Sequence, residues 1–190
     1  MLGYWVYLQS TLLNPVKMGK HIVMLLASEK FRDSEFIVPK AFFEQSAIKV
    51  SVASTKLLAK GRFGFSVSSD VLIEYLNPAD YDGIFFVGGA GSIEYLNNVE
   101  AKVVFEKFLK LNKPIAAICA APRNFLKWGI LKDKKCTGFD ADGVFSSMAK
   151  EYGAYEMPEE NIVEDGLILT ANGPESSEAC AIAFISMLNK

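Results

Sequence analysis

Short, uniformly apolar runs punctuate this chain and alternate with stretches whose apolar residues recur at helical spacing. His21 to Ala27 (HIVMLLA), Gly83 to Val87 (GIFFV) and Pro114 to Ile118 (PIAAI) are runs of the first kind, the pattern of central parallel strands covered on both faces. Lys49 to Ser54 (KVSVAS) alternates more and predicts a further strand. Between the runs, Val104, Phe108 and Leu111 share one helical face, and Ala179, Ile182, Ala183, Ser186 and Met187 share another. Trp128-Gly129 reads as a helix stop. Lys60 to Gly64 followed by Phe65 to Ser68 predicts a turn and a small hairpin strand, and Asn161 to Glu164 is expected to pair with Leu167 to Thr170 across Asp165-Gly166.

The order of these elements predicts an α/β fold, a mostly parallel, doubly wound sheet with helices on both faces and a small antiparallel addition. Sites in such sheets lie at the carboxyl ends of the strands. Three features converge there: Cys119 after one strand, Gly88-Gly89 after another, and the loop Ser28 to Glu35 after the first.

Composition narrows the function classes. The 190 residues, 51% of them hydrophobic, suffice for one sizeable core. We assign residues 18–190 to a single domain and read 1–17 as an upstream-start artefact or a flexible arm, since no basic region precedes their apolar stretch as in a signal peptide. A formal net charge of -2 without a basic block argues against a nucleic-acid partner. No apolar run approaches the roughly 18 residues of a membrane span. Three widely spaced cysteines and a single histidine provide neither a disulfide framework nor a zinc set, and point to a reducing, cytoplasmic compartment with no metal.

Cys119 is the candidate nucleophile. It stands on a strand-to-helix turn with small residues, Ala117 and Ala121, two positions to either side, as a nucleophile elbow requires where flanking backbone crowds the turn. The N–H groups and positive dipole end of the following helix are expected to lower the thiol pKa. A buried structural cysteine is the alternative reading. Gly88-Gly89-Ala90-Gly91-Ser92 lacks the Lys-Ser/Thr of a phosphate loop and the G-x-G-x-x-G spacing, so no nucleotide or other cofactor is expected. Backbone N–H groups of Gly88 and Gly89, with that of Ala120, instead suit an oxyanion hole. A tight connection needing positive φ explains the glycines equally well.

Phe31-Arg32-Asp33-Ser34-Glu35 with Pro39, then Val87-Gly88-Gly89, then Ala117 to Pro122, then Asp165 to Thr170 with Gly173-Pro174, stand in an order that resembles the ThiJ/PfpI family from about Lys20 to the C-terminus. That family includes the parkinsonism-associated protein deglycase and an archaeal intracellular protease. The resemblance implies a flavodoxin-like α/β sandwich of the class I glutamine amidotransferase type, a homodimer, Cys119 as the elbow cysteine and Glu35 as the carboxyl that meets it. A carboxyl beside a thiolate is pushed toward its protonated form by like charge and burial, and can then donate to the sulfur. Pro39 has no N–H for the Glu35 carbonyl, which predicts a kinked or only just starting helix.

Departures from the family pattern constrain the chemistry. Protease-like members carry histidine after the nucleophile, where this chain has Ala120; deglycase-like members carry one where this chain reads Thr137-Gly138-Phe139-Asp140. The sole histidine, His21, opens a strand and is expected about 15 Å or more from Cys119, at about 3.3 Å per strand residue. No Cys-His dyad is therefore expected within a subunit. The resemblance then implies a Cys119 thiolate acting directly as nucleophile on small reactive carbonyls in a glyoxalase-like or deglycase-like manner, with Glu35 moving the proton. The alternative is a non-enzymatic, stress-protective redox sensor in which oxidants convert Cys119 to a sulfinate. Peptide hydrolysis is the weaker reading, because expelling an amine needs a general acid. Cys136 and Cys180 stand at no elbow and read as structural. Loops Gly138 to Phe145 and Asn172 to Ser177 are expected to wall the pocket.

Overall fold

A computed structural model describes residues 19–190, and the reading of residues 1–17 lies outside the described residues. The first half of the chain forms β1 (His21–Leu25), β2 (Glu29–Phe31), α1 (Asp33–Gln45), β3 (Lys49–Ser54), β4 (Leu58–Gly61), β5 (Ser66–Ser68), β6 (Val71–Leu72) and β7 (Gly83–Phe86). There follow α2 (Val99–Lys110), β8 (Ile115–Ile118), α3 (Pro122–Lys127), β9 (Lys135–Cys136), α4 (Val144–Tyr152) and β10 (Tyr155–Glu156). A hairpin of β11 (Ile162–Asp165) and β12 (Ile168–Ala171) leads into α5 (Ser177–Leu188).

The apolar runs become the centre of a seven-stranded sheet in the order β11-β12-β8-β7-β1-β3-β6. All neighbours pair parallel except the edge hairpin of β11 with β12, whose turn is made by Asp165-Gly166. β1, β7 and β8 are buried along almost their whole length because helices cover both faces. Successive residues of β7 show how. Phe85 packs edge-on against Phe43 of α1 and Phe184 of α5, while Phe86 on the opposite face meets Phe105 of α2, Phe125 of α3 and Trp128. The two-residue period of a strand thus delivers one ring to each layer, and each fully buried ring contributes about 2–3 kcal/mol.

Two expectations need correction. Within Ser28 to Glu35, expected as a loop, Glu29–Phe31 is a strand in a second, three-stranded sheet of β2, β4 and β5, and α1 already starts at Asp33. Phe31 is drawn into the core there and is fully buried. On α5, of the expected face of Ala179, Ile182, Ala183, Ser186 and Met187, only Met187 is buried; the other four point largely outward, and Ile182 is 44% exposed. The buried stripe is Cys180, Ala181, Phe184, Ile185 and Leu188. In a helix this uniformly apolar, periodicity leaves the inward face open, and the bulk of Phe184 against Phe43 and Phe85 decides it. Pro39 lies inside α1, not at its start, leaving the Glu35 carbonyl without the N–H four residues on. Gly129, with φ of 77°, ends α3 as expected. Among the described residues, no helix is long and apolar enough to cross a membrane.

Truncating Phe184 to Ala should lower stability by about 3–5 kcal/mol, whereas Ile182→Ala should cost less than about 1 kcal/mol. Urea unfolding of both variants checks this, and a larger loss at Ile182 would reverse the assignment of the α5 faces.

Candidate active site

Cys119 follows β8 with φ of 63°, the left-handed conformation of a sharp elbow and a costly one for a side-chain-bearing residue. The end of one strand and the loop after another hold it there. Its N–H donates to the Ala171 carbonyl at the end of β12 at 2.9 Å, and its carbonyl accepts from Phe139 N–H at 2.8 Å. The turn leaves the sulfur at the floor of an open cleft of about 790 Å³, with the residue 8% exposed.

Glu35 reaches the sulfur from the first turn of α1 and is fully buried. Gly88 makes this approach possible: a Cβ there would lie 2.3 Å from the Ile118 carbonyl oxygen, 2.5 Å from Glu35 Oε2 and 2.7 Å from Cys119 Cβ. Arg32 N–H donates to the Gly88 carbonyl at 3.0 Å and ties the start of α1 to this strand end. Gly89 has φ of 101°, and its own Cβ would lie 2.4 Å from the Arg32 nitrogen. The N–H groups of Gly89 and Ala120 face the sulfur. That of Gly88 faces the Glu35 carboxyl instead, a different place from the oxyanion position expected of it. The structure therefore brings Cys119, Glu35, Gly88, Gly89 and Ala120 together at one point.

The electrostatics reverse part of the expectation. Burial pushes the Cys119 thiol up to about 12, and the nearby Glu35 charge adds to this against the Gly89 and Ala120 N–H groups. A lowered thiol pKa from the following helix does not arise. α3 has only six residues, and the N–H groups at its start are spent within the turn: Ala121 on Ile118, Arg123 on Ala120 and Asn124 on Ala121. Burial likewise raises Glu35 to about 7, opposed by the Cys119 thiol, the Arg32 charge and the Gly88 N–H. The thiol and that N–H lie close enough to favour the carboxylate, yet neither carboxyl oxygen has a partner at full hydrogen-bonding geometry. Ionising either member of this pair opposes ionising the other.

His21 stands where its strand position predicts. It is at the amino end of β1, beside Ser51 at 2.9 Å, while Cys119 lies past the carboxyl end of β8 in a parallel sheet. Cys136 and Cys180 are fully buried. Both expected wall loops line the cleft, through Phe139 and Asp142 on one side and Asn172 to Ser176 on the other. Sequence reasoning assigned no role to Arg32, Arg62 and Arg123, which also line it. Arg123 ion-pairs with Asp142 at 2.6 Å and donates to the Phe139 carbonyl at 2.9 Å. Its place in the first turn after the elbow was the available signal. Among the described residues, no group of three or more His, Cys, Asp or Glu is placed to hold a metal ion.

Comparison with known proteins places these features in context. Residues 20–187 match the DJ-1/PfpI family. An uncharacterized protein of Methanocaldococcus jannaschii is 34% identical over 171 residues, covering 89% of this chain and 82% of its own. Deglycase PfpI of Pyrococcus furiosus is 26% identical over 167 residues, covering 87% and 98%. The crystal structure of a ThiJ/PfpI domain protein from Brachyspira murdochii superposes with a TM-score of 0.84 at 31% identity, over 90% of this chain and 98% of that one.

Glu35 keeps its proton to about pH 7 when folded, against an ordinary value of 4.5. The stability this gives is fully present below pH 4.5 and fades as pH rises through 7, a loss of about 3 kcal/mol. Glu35→Gln, which carries no titrating proton, should be the more stable protein above pH 8 by about that amount. In urea denaturation across pH the gap should close toward pH 4.5; a gap independent of pH would mean that Glu35 does not titrate as described.

Proposed function

The chain belongs to the DJ-1/PfpI family, and from that premise we propose that it is a deglycase-like protein whose Cys119 adds to small reactive carbonyls. One observation carries this reading: a buried carboxyl poised near neutral pH faces a thiol on a positive-φ elbow at the floor of an open cleft. With its thiol raised to about 12, Cys119 holds its proton at neutral pH. Sulfur attack then needs a base at hand. Glu35 in its ionised form takes the thiol proton as the carbon–sulfur bond forms and the carbonyl electron pair moves to oxygen. The developing alkoxide oxygen lies two bonds from the sulfur, within the field of the Gly89 and Ala120 N–H groups. Protonated Glu35 returns the proton to that oxygen, giving a hemithioacetal with all protons accounted for.

This assignment gives Glu35 the opposite starting state from the one expected from the sequence, base first and acid second. It also fits the missing histidines, because aldehydes as electrophilic as methylglyoxal need little activation and expel no amine. An oxidisable, stress-sensing thiol needs a standing thiolate, and the buried, proton-retaining Cys119 weighs against that reading. The expected homodimer belongs to the same proposal, carried by membership of the family.

Methylglyoxal turnover by the purified protein tests the chemistry. Cys119→Ser should abolish it, Glu35→Gln should lower kcat/KM by about 10²–10⁴-fold, and the wild-type profile should rise through about pH 7 as Glu35 ionises. Turnover that survives Cys119→Ser, or a profile flat between pH 5 and 9, would sink the proposal. Light scattering on a sizing column should return twice the 20.9 kDa chain mass; a monomer at micromolar concentration would remove the dimer from it.

A further inference from the structure

Two guanidinium groups that the chemistry above does not use stand at the mouth of the Cys119 cleft. Arg32 and Arg62 share one aromatic ring, their guanidinium carbons 4.9 Å and 5.8 Å from the centre of Phe63. Neither forms an ion pair among the described residues. Asp33, which follows Arg32 in the chain, is committed elsewhere. Asp33 accepts from Phe63 N–H at 3.0 Å and from Phe65 N–H at 2.9 Å, and a Cβ on Gly61 would lie 2.4 Å from its Oδ1. Asp33 thus clamps the loop that carries Arg62 and cannot swing to either arginine. The backbone is tied as well, Arg62 N–H donating to the Phe31 carbonyl at 2.9 Å and Arg32 N–H to that of Gly88 at 3.0 Å.

Two like charges around one ring repel, and holding them together without an ion pair makes sense where an anion arrives from outside. The other charges of the cleft set its size. Asp142 meets Arg123 at 2.6 Å, and Glu175 is the further carboxylate besides Glu35. At the mouth of the cleft the arginine pair faces only Glu175, apart from the buried Glu35 that serves the sulfur, and the single positive charge left there matches a carboxylate better than a phosphate dianion.

We propose that Arg32 and Arg62 hold a carboxylate, so that the cleft selects small aldehydes and ketones carrying a carboxylate beside the reacting carbonyl over their uncharged counterparts. The inference rests on Cys119 adding to carbonyls, as proposed above. Addition of the Cys119 thiol to the aldehyde forms the carbon–sulfur bond, moves the thiol proton to the carbonyl oxygen through Glu35, and needs no further reactant. The planar fork of each guanidinium fits the carboxylate while the aldehyde carbon faces the sulfur.

A matched pair of probes separates charge from reactivity: glyoxylate and its methyl ester, which is the stronger electrophile in solution. Each is titrated as a protectant of Cys119 against iodoacetamide, read by intact-protein mass with N-acetylcysteine as the free-thiol reference. Glyoxylate should half-protect at a concentration about tenfold or more below that of the ester, as a charge-assisted contact of this kind provides, and the advantage should shrink with added salt. In the Arg32→Gln/Arg62→Gln double variant the ratio should fall to that seen with N-acetylcysteine. Equal protection by the two probes in the wild type, or a ratio that persists in the double variant, overturns the carboxylate assignment alone. Protection by neither probe overturns carbonyl addition itself, and the inference with it.

Discussion

Close packing of Glu35 against Cys119 across Gly88 is the constraint on which the rest of the site depends. With no side chain at residue 88, a carboxyl from the first turn of α1 and a thiol from the end of β8 share a space that a single methyl group would fill. That proximity couples their protons, and burial of both sets the direction in which each pKa moves. Everything else in the neighbourhood keeps the approach intact. The elbow is held by Ala171 and Phe139, and the start of α1 by the bond from Arg32 to the Gly88 carbonyl.

One helical turn serves three purposes at once. Arg32 caps α1 and turns its guanidinium toward Phe63; Asp33 binds the loop between β4 and β5; Glu35 meets the sulfur. The three residues lie within four positions of one another, so their relative placement follows from helix geometry. Their absolute placement follows from the sheet, through Phe31, buried at the end of β2, and the backbone bond to Gly88. Burying a carboxyl costs stability above neutral pH, and the aromatic layers around Phe85 and Phe86 supply the compensating core.

Much of the fold was legible in the chain because its strands are short apolar runs and its turns carry their own chemistry. The parallel strands β1, β3, β7 and β8, the Asp165-Gly166 hairpin and the Gly129 stop all rest on residues close in sequence. The short elements β2, β9 and β10 were not legible. They exist only because a distant partner pairs with them, as β4 does with β2. The α5 face was misjudged for a related reason. A helix apolar all round has no stripe of its own, and Phe43 and Phe85 choose which side turns inward.

By itself, the sequence determined the sheet type, the strand edge at which a site lies, the elbow cysteine and the expectation that no histidine of the same subunit serves it. These follow from local patterning, from small residues around a sharp turn and from a simple count. Only the tertiary structure decided that the thiol is held protonated and the carboxyl poised near neutrality, that Gly88 is a spacer whose N–H serves Glu35, and that three arginines line the cleft. Acidity and local field depend on how deeply a group is buried and which charges lie within a few ångströms. Those neighbours come from β2, β7, β8 and the loops after β4 and β12, segments far apart in the chain that meet only when the sheet is assembled.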